Sequence, residues 1–200
     1  MNDKFFDLKK DKQDKMINGA MRVFSEKGYK LASTDDMVKV AGVSKGLWFH
    51  YFGNKAGLYN FVADYCVKYL NMELAVNLLS KPTDYFDILY KVEETKAQVA
   101  GLYPYIPLMI QSMEKEKDEE IIEIASAKIA PFTEKVKEAL ENFDNENLVE
   151  GVSREMLDMT VNYTVCGIRE KAYSEDSFDN AGYLEEIRAY FDMMHKLVIK

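Results

Sequence analysis

The 200-residue sequence predicts an all-α protein with an N-terminal three-helix domain containing a helix-turn-helix and a larger C-terminal helical domain. Three observations carry this. Apolar residues recur at three- and four-residue spacing along most of the chain, and no stretch alternates with the period of a strand. Helix starts and stops punctuate it at Ser33, Ser44 and Asn54 and at Gly28, Pro82 and Pro104. Charge is divided unevenly: residues 1–60 hold eleven cations against seven anions, a surplus of four, so residues 61–200 carry −12 of the chain's net −8. The expected boundary lies between residues 1–55 and 56–200.

Composition sets the frame. With 48% hydrophobic and 30% charged residues the chain is globular and long enough to bury a sizeable core. No apolar run reaches the roughly eighteen residues a membrane span needs. The first fifteen residues lack the apolar core of a signal peptide, so a soluble, cytoplasmic protein is expected. Cys66 and Cys166 are isolated, without Cys or His neighbours at ligand spacing. Neither a metal site nor a disulfide is indicated, and both are expected as buried small hydrophobes. A basic head on an acidic body would orient the molecule on a polyanion.

In chain order, residues 1–10 form a basic arm with Lys4, Lys9 and Lys10, able to touch a phosphate backbone or simply to fray. A first helix over about 12–27 puts Ile17, Ala20, Met21 and Phe24 on one face and stops at Gly28. Ser33 caps the second helix, with Asp36 three residues on as a variant capping box. Gly42 supplies the positive φ of a tight turn. Ser44 caps the third helix, residues 45–52, and Asn54 the fourth, which runs from Lys55 to about residue 80. The third helix reads KGLWFHYF, apolar nearly all round. Its neighbours can cover one side only, so Trp48 and Phe52 are expected in the core while Leu47, Phe49 and His50 project outward. Gly46 would let its backbone approach a partner closely.

Further helices are expected over about 84–102, after Pro104, over about 119–143 with a kink or break at Pro131, over about 153–172 and over about 181–198. The charged run 114–120 reads as a solvated loop or helix end.

Over roughly residues 10–60 the sequence resembles the DNA-binding domain of the tetracycline-repressor (TetR) family. The resemblance rests on Gly28-Tyr29, Ser33-Thr34-Asp35-Asp36-Met37, Ala41-Gly42-Val43-Ser44-Lys45-Gly46, His50-Tyr51-Phe52, Asn54-Lys55 and Leu58-Tyr59. It implies phosphate contacts from Ser33, Thr34, Tyr51 and Lys55, and a groove-facing set of Lys45, Gly46, Leu47, Phe49 and His50. Ser44 is included in the same DNA-binding group. Hydroxyls and helix N-termini suit phosphate, and lysine neutralises it. Leu47 stands where the family often has Thr, and Trp48-Phe49 where it often has Leu-Tyr. Leu47 can pack on a thymine methyl but cannot donate to a base edge, which shifts readout towards apolar contact and shape.

The resemblance also implies that the fourth helix links head to body, and that the two C-terminal helices pair with a second copy in a four-helix interface. Read alone, the near-aligned Met156, Met159, Thr160, Tyr163, Thr164 and Gly167 fit intramolecular packing equally well. The body is rich in Tyr and Met, residue types that line adaptable apolar pockets as well as ordinary cores. Tyr65, Tyr69, Tyr90, Tyr103, Met109, Met113, Met159 and Tyr163 form the expected ligand-binding set, and Glu93, Glu94 and Glu114 could favour a cationic ligand. The two histidines lie far apart and no catalytic motif is present, so no enzyme and no cofactor are expected. The reading is a homodimeric, cytoplasmic transcriptional repressor that holds a pseudo-palindromic double-stranded operator and leaves it on binding a small-molecule effector. A helical adaptor, or a DNA binder of this fold without a ligand, is the alternative.

Overall fold

The computed structural model describes residues 3–174 and 178–200, so the first two residues of the basic arm lie outside the described residues. Among the described residues the regular structure is helical: α1 (Lys10–Leu31), α2 (Thr34–Ala41), α3 (Lys45–Phe52), α4 (Lys55–Asn77), α5 (Tyr85–Leu102), α6 (Tyr105–Glu114), α7 (Ile122–Leu140), α8 (Arg154–Ser174) and α9 (Asn180–Val198). None of these helices is long and apolar enough to cross a membrane.

The local chemistry explains the boundaries. Ser33 caps α2 reciprocally: its Oγ accepts from the Asp36 N–H at 3.1 Å and donates to the Asp36 carboxylate at 2.6 Å. Gly42 ends α2 in the left-handed region at φ 64°, and its N–H donates to the Val38 carbonyl. Gly28, at φ 67° and ψ 172°, breaks α1 three residues before its end. The expectation for Ser44 is corrected. It occupies the N-cap position of α3 but makes no side-chain capping bond. Asn54 does cap, its Oδ1 accepting from the Gly57 N–H at 2.7 Å.

Two further expectations change. The helix of α7 continues through Pro131 instead of breaking there. Ala127, whose carbonyl loses its helical partner, is exposed, so water can satisfy it. From Asp3 onward the described part of the N-terminal arm is not frayed. Asp3–Asp7 form a 3-10 turn with Phe5 wholly buried.

The chain packs as two compact units. The first comprises Met1–Asn71 and Tyr103–Thr133, the second Met72–Leu102 and Glu134–Lys200. This division by packing differs from the 55/56 division by role, because α4, α6 and part of α7 share a core with the head. In the first unit α1 packs on both α2 and α6. Its core holds Met16, Met21 and Phe24 of α1, Met37 of α2, Trp48 of α3, Tyr59 and Leu70 of α4, and Met109 of α6. Cys66 is buried there, and burial pushes its thiol well above the ordinary range. Cys166 is only half-buried, contrary to expectation, because it sits towards the outer face of α8.

The second unit packs α5, α8 and α9 around Phe86, Leu157, Val161, Ile187 and Phe191. Its C-terminus is tied back by an isolated antiparallel bridge between Leu148 and Ile199. Inside lies a buried ionic cluster. The Glu93 carboxylate accepts from Arg169 at 2.8 Å, Lys96 at 3.0 Å and the Tyr183 hydroxyl at 2.6 Å. All four residues are at most 5% exposed. Glu93 was expected to favour a cationic ligand, and the chain's own cations occupy it. Burial alone would raise its pKa, but Arg169 and Lys96 outweigh burial and hold it at about 2 against an ordinary 4.5.

Removing the carboxylate charge leaves buried cations poorly compensated. Glu93→Gln should therefore cost on the order of 3–5 kcal/mol in denaturant unfolding. Because the folded pKa is depressed, the stability Glu93 supplies is present above about pH 4.5 and drains away as pH falls towards 2. The variant should lose part of that acid dependence, and a variant as stable as the parent with an unchanged acid profile contradicts the role given to the cluster.

Candidate nucleic-acid interface

The interface is built on α3. Its periodicity sorts the residues cleanly: Trp48 and Phe52 are buried, while Lys45, Gly46, Phe49 and His50 form a continuous exposed stripe. Leu47 is half-buried at its border. Phe49 is 42% exposed, an aromatic face presented to solvent beside a lysine and a histidine. Trp48 packs on Phe52 with ring centroids 6.0 Å apart, which fixes the rotation of α3 and hence the stripe. A Cβ placed on Gly46 would meet nothing within 4 Å, so the glycine leaves open space over the helix N-terminus.

The surrounding groups have definite partners. Lys45 Nζ lies 2.9 Å from Asp35 Oδ1, both well exposed. Such a surface pair contributes roughly 0–1 kcal/mol, so a phosphate can take the lysine at little cost. Ser33 is committed to its cap, and hydrogen bonds from Ser33 and then Lys27 hold the Asp36 carboxyl below its usual range. Thr34 is half-buried at the first turn of α2, and Ser44 is exposed at the α3 N-terminus. Tyr51 is half-buried, with its ring 4.8 Å from that of His50. Ser44, Lys45, Gly46, Phe49 and His50 thus come together on or beside one helix face, with Thr34 at the start of α2.

Lys55 is placed differently. Its ammonium donates to the carbonyls of Tyr29 at 3.0 Å and Ala32 at 3.4 Å and lies 4.1 Å above the Tyr29 ring. It ties the start of α4 to the end of α1. Tyr29 was noticed only as part of the Gly28-Tyr29 pair, yet it is the hub of this region. Its N–H donates to Glu116 at 3.3 Å and its hydroxyl to Glu120 at 2.8 Å. The run 114–120, read as a solvated segment, therefore also anchors the head. Only the pairing of a buried aromatic after a helix-breaking glycine with a distant acidic run could have hinted at it.

The expected ligand residues do not form one group. Tyr65, Tyr69, Tyr103, Met109 and Met113 belong to the first unit, where the Tyr69 and Tyr103 rings meet edge to face at 4.9 Å and both methionines are buried. Tyr90, Met159 and Tyr163 belong to the second. The Arg188 guanidinium lies 3.5 Å over the Tyr90 ring. Met159 and Tyr163 are 50% and 70% exposed on α8, because the core face of that helix is taken by Leu157, Val161 and Val165. A charged cleft of about 800 Å³ between residues 27–31 and 115–119 is bordered by none of the eight.

Comparison with known proteins bears directly on this geometry. Residues 16–62, which contain α2, α3 and the start of α4, match the model of the bacterial regulatory proteins of the tetR family. These residues are thus similar to the regulatory proteins of the tetR family. A relative, the biofilm operon icaADBC HTH-type negative transcriptional regulator IcaR of Staphylococcus aureus (strain Newman), is 26% identical, the match covering 68% of this chain and 77% of IcaR. The fold is shared with a TetR family transcriptional regulator from Chloroflexus aurantiacus J-10-FL, at TM-score 0.65 and 17% identity over 100% of this chain and 98% of that one. It is shared also with the fatty acid degradation regulator FadR of Bacillus halodurans, at TM-score 0.62 and 15% identity over 89% and 96%. The chain accordingly carries a segment similar to the tetR-family regulators and shares its whole fold with solved proteins of that description.

Gly46 gives the sharpest check of the interface. In a helix, Gly→Ala stabilises by roughly 0.5–1 kcal/mol where the site is open, as it is here. Gly46→Ala should raise the melting temperature by a few degrees and weaken duplex DNA binding severalfold. A stabilised variant with unchanged DNA affinity removes α3's N-terminus from the interface.

Proposed function

We propose that this regulator is a repressor that binds a pseudo-palindromic operator as a homodimer and is released by a small molecule. The observation that carries the DNA-binding part is the exposed stripe of Lys45, Gly46, Phe49 and His50 on α3, on a segment with a positive charge surplus. Lys45, with Ser44 and Thr34, serves phosphate, and Ser33 and Tyr51 stand beside them. Leu47, Phe49 and His50 face the bases. A leucine and a phenylalanine read thymine methyls and groove shape more than hydrogen-bonding edges. That IcaR is named a negative regulator supports repression.

Dimerisation is supported by α8 and α9. Met156, Met159 and Tyr163 stand exposed on one helix, and Met193 and Leu197 on the other. So many large apolar side chains on adjacent helices are a surface made to be covered. Met159 and Tyr163 thus belong to the dimer face and not to the ligand set. A two-fold dimer sets two α3 helices about one DNA turn apart, roughly 34–36 Å.

For the effector, the aromatic group Tyr65, Tyr69 and Tyr103 with α6 is the favoured contact region. Helix α6 packs on α1, and Ser112 Oγ donates to the Phe24 carbonyl at 3.3 Å. A ligand that displaces α6 therefore pulls on α1 and on the reader behind it. To change operator occupancy from 99:1 to 1:99 the effector must discriminate between the two shapes by about 5.5 kcal/mol. The protein acts in the cytoplasm, where its DNA is.

Selection of bound duplexes from a random pool tests this. The expected product is an inverted repeat with fixed half-site spacing, and Leu47→Ala or Phe49→Ala should change the enriched sequence more than the affinity for random duplex. Enrichment of a single unrepeated site, or equal loss on both kinds of DNA, contradicts it.

A further inference from the structure

The segment preceding the family match is built into the reader. Phe5 is fully buried, its ring 5.6 Å from that of Tyr51, 5.1 Å from Phe52 and 5.3 Å from Phe61. Two of these partners belong to α3 itself. Phe6 adds an edge contact to Phe61 at 6.3 Å. The turn is closed from below: Gln13, 9% exposed, donates from Nε2 to the carbonyls of Phe6 at 3.0 Å and Leu8 at 2.8 Å. Burial of the Phe5 ring opposes fraying of the segment.

This anchorage has a consequence for charge. Lys4 is exposed and adjoins Phe5, so its Cα lies about 3.8 Å from the Cα of a residue whose ring is seated against Tyr51. Tyr51 in turn stands against His50 of the exposed stripe. Lys9 and Lys12 are exposed nearby in the sequence, and Lys10 is paired with Asp14 at 2.8 Å.

We propose that residues 3–8 are a third DNA-contacting part of the reader, in which Phe5 is the positioning residue and Lys4 meets the phosphate backbone flanking each half-site. The inference rests on the DNA-binding reading above and adds a contact outside the helix-turn-helix. Phe5 also braces Tyr51, so the arm and the C-terminal end of α3 are set by the same aromatic cluster. The contact is electrostatic, so it raises affinity for all duplexes and carries no sequence information.

The test is the salt dependence of binding, by fluorescence anisotropy, to a random-sequence duplex and to the duplex enriched by selection. Wild type, Lys4→Gln, Phe5→Leu and the double variant are compared, with melting temperatures in parallel. Two Lys4 contacts per dimer are worth about 1.8 in the slope of log K against log salt, or roughly ten- to thirtyfold in affinity at 0.15 M salt. Lys4→Gln should lose that on both duplexes with its melting temperature unchanged. If Phe5 positions Lys4, Lys4→Gln should cost less in the Phe5→Leu background than in wild type. A Lys4→Gln slope equal to wild type overturns the contact, and strictly additive losses overturn the positioning role. A wild type without salt-dependent affinity for either duplex overturns the DNA-binding reading and this inference with it.

Discussion

Tyr29 is the residue on which the geometry of the first unit depends. It sits where Gly28 breaks α1, with its side chain 2% exposed. Its carbonyl and ring hold Lys55 at the start of α4, and its N–H and hydroxyl hold Glu116 and Glu120 between α6 and α7. Its ring meets Tyr59 at 5.5 Å and Phe24 at 6.2 Å. Burial first, and then the bond to Glu120, pushes the phenol far above its ordinary pKa, so it remains a neutral donor across physiological pH. One residue thereby fixes the exit of α1, the entry of α4 and the acidic segment, and Ser33, which opens the helix-turn-helix, follows four residues later. The acidic run is thus part of the head's framework, because Tyr29 gives Glu116 and Glu120 a partner.

The second unit is fixed by other means. Its core is aliphatic and aromatic, with one buried carboxylate among the described residues, Glu93, gathering Arg169, Lys96 and Tyr183 from three helices. Such a cluster contributes little net stability compared with an apolar core, but it penalises any packing in which one partner is missing. It therefore fixes the mutual register of α5, α8 and α9, and with it the outward direction of Met156, Met159 and Tyr163.

Much of this was legible in the sequence, for physical reasons that differ by residue. Helix positions followed from apolar spacing and from caps such as Ser33 and Asn54. The division of α3 into a buried Trp48–Phe52 side and an exposed Phe49–His50 side followed because two neighbouring helices cannot cover an all-apolar helix. What failed was anything that needed a direction in three dimensions. Tyr and Met report apolar character but not which way they face, so Met159 and Tyr163 were grouped with Met109 and Met113, which are buried in the other unit. The phosphate contact of Lys55 was implied by the resemblance alone; its use of the Tyr29 and Ala32 carbonyls depends on a contact 23 to 26 residues away. The buried Phe5 had no periodic signal at all, since a 3-10 turn of five residues is too short to show one. Pro131 is tolerated because its turn of helix faces water.

The central claim is that two copies of α3 read successive major grooves on one face of a duplex. Hydroxyl-radical footprinting on a duplex bound by the full-length protein measures this directly. The account predicts two patches of backbone protection related by a dyad and separated by about one helical turn, roughly 10–10.5 base pairs. A single unsymmetrical patch, or protection that follows one groove continuously, would contradict it.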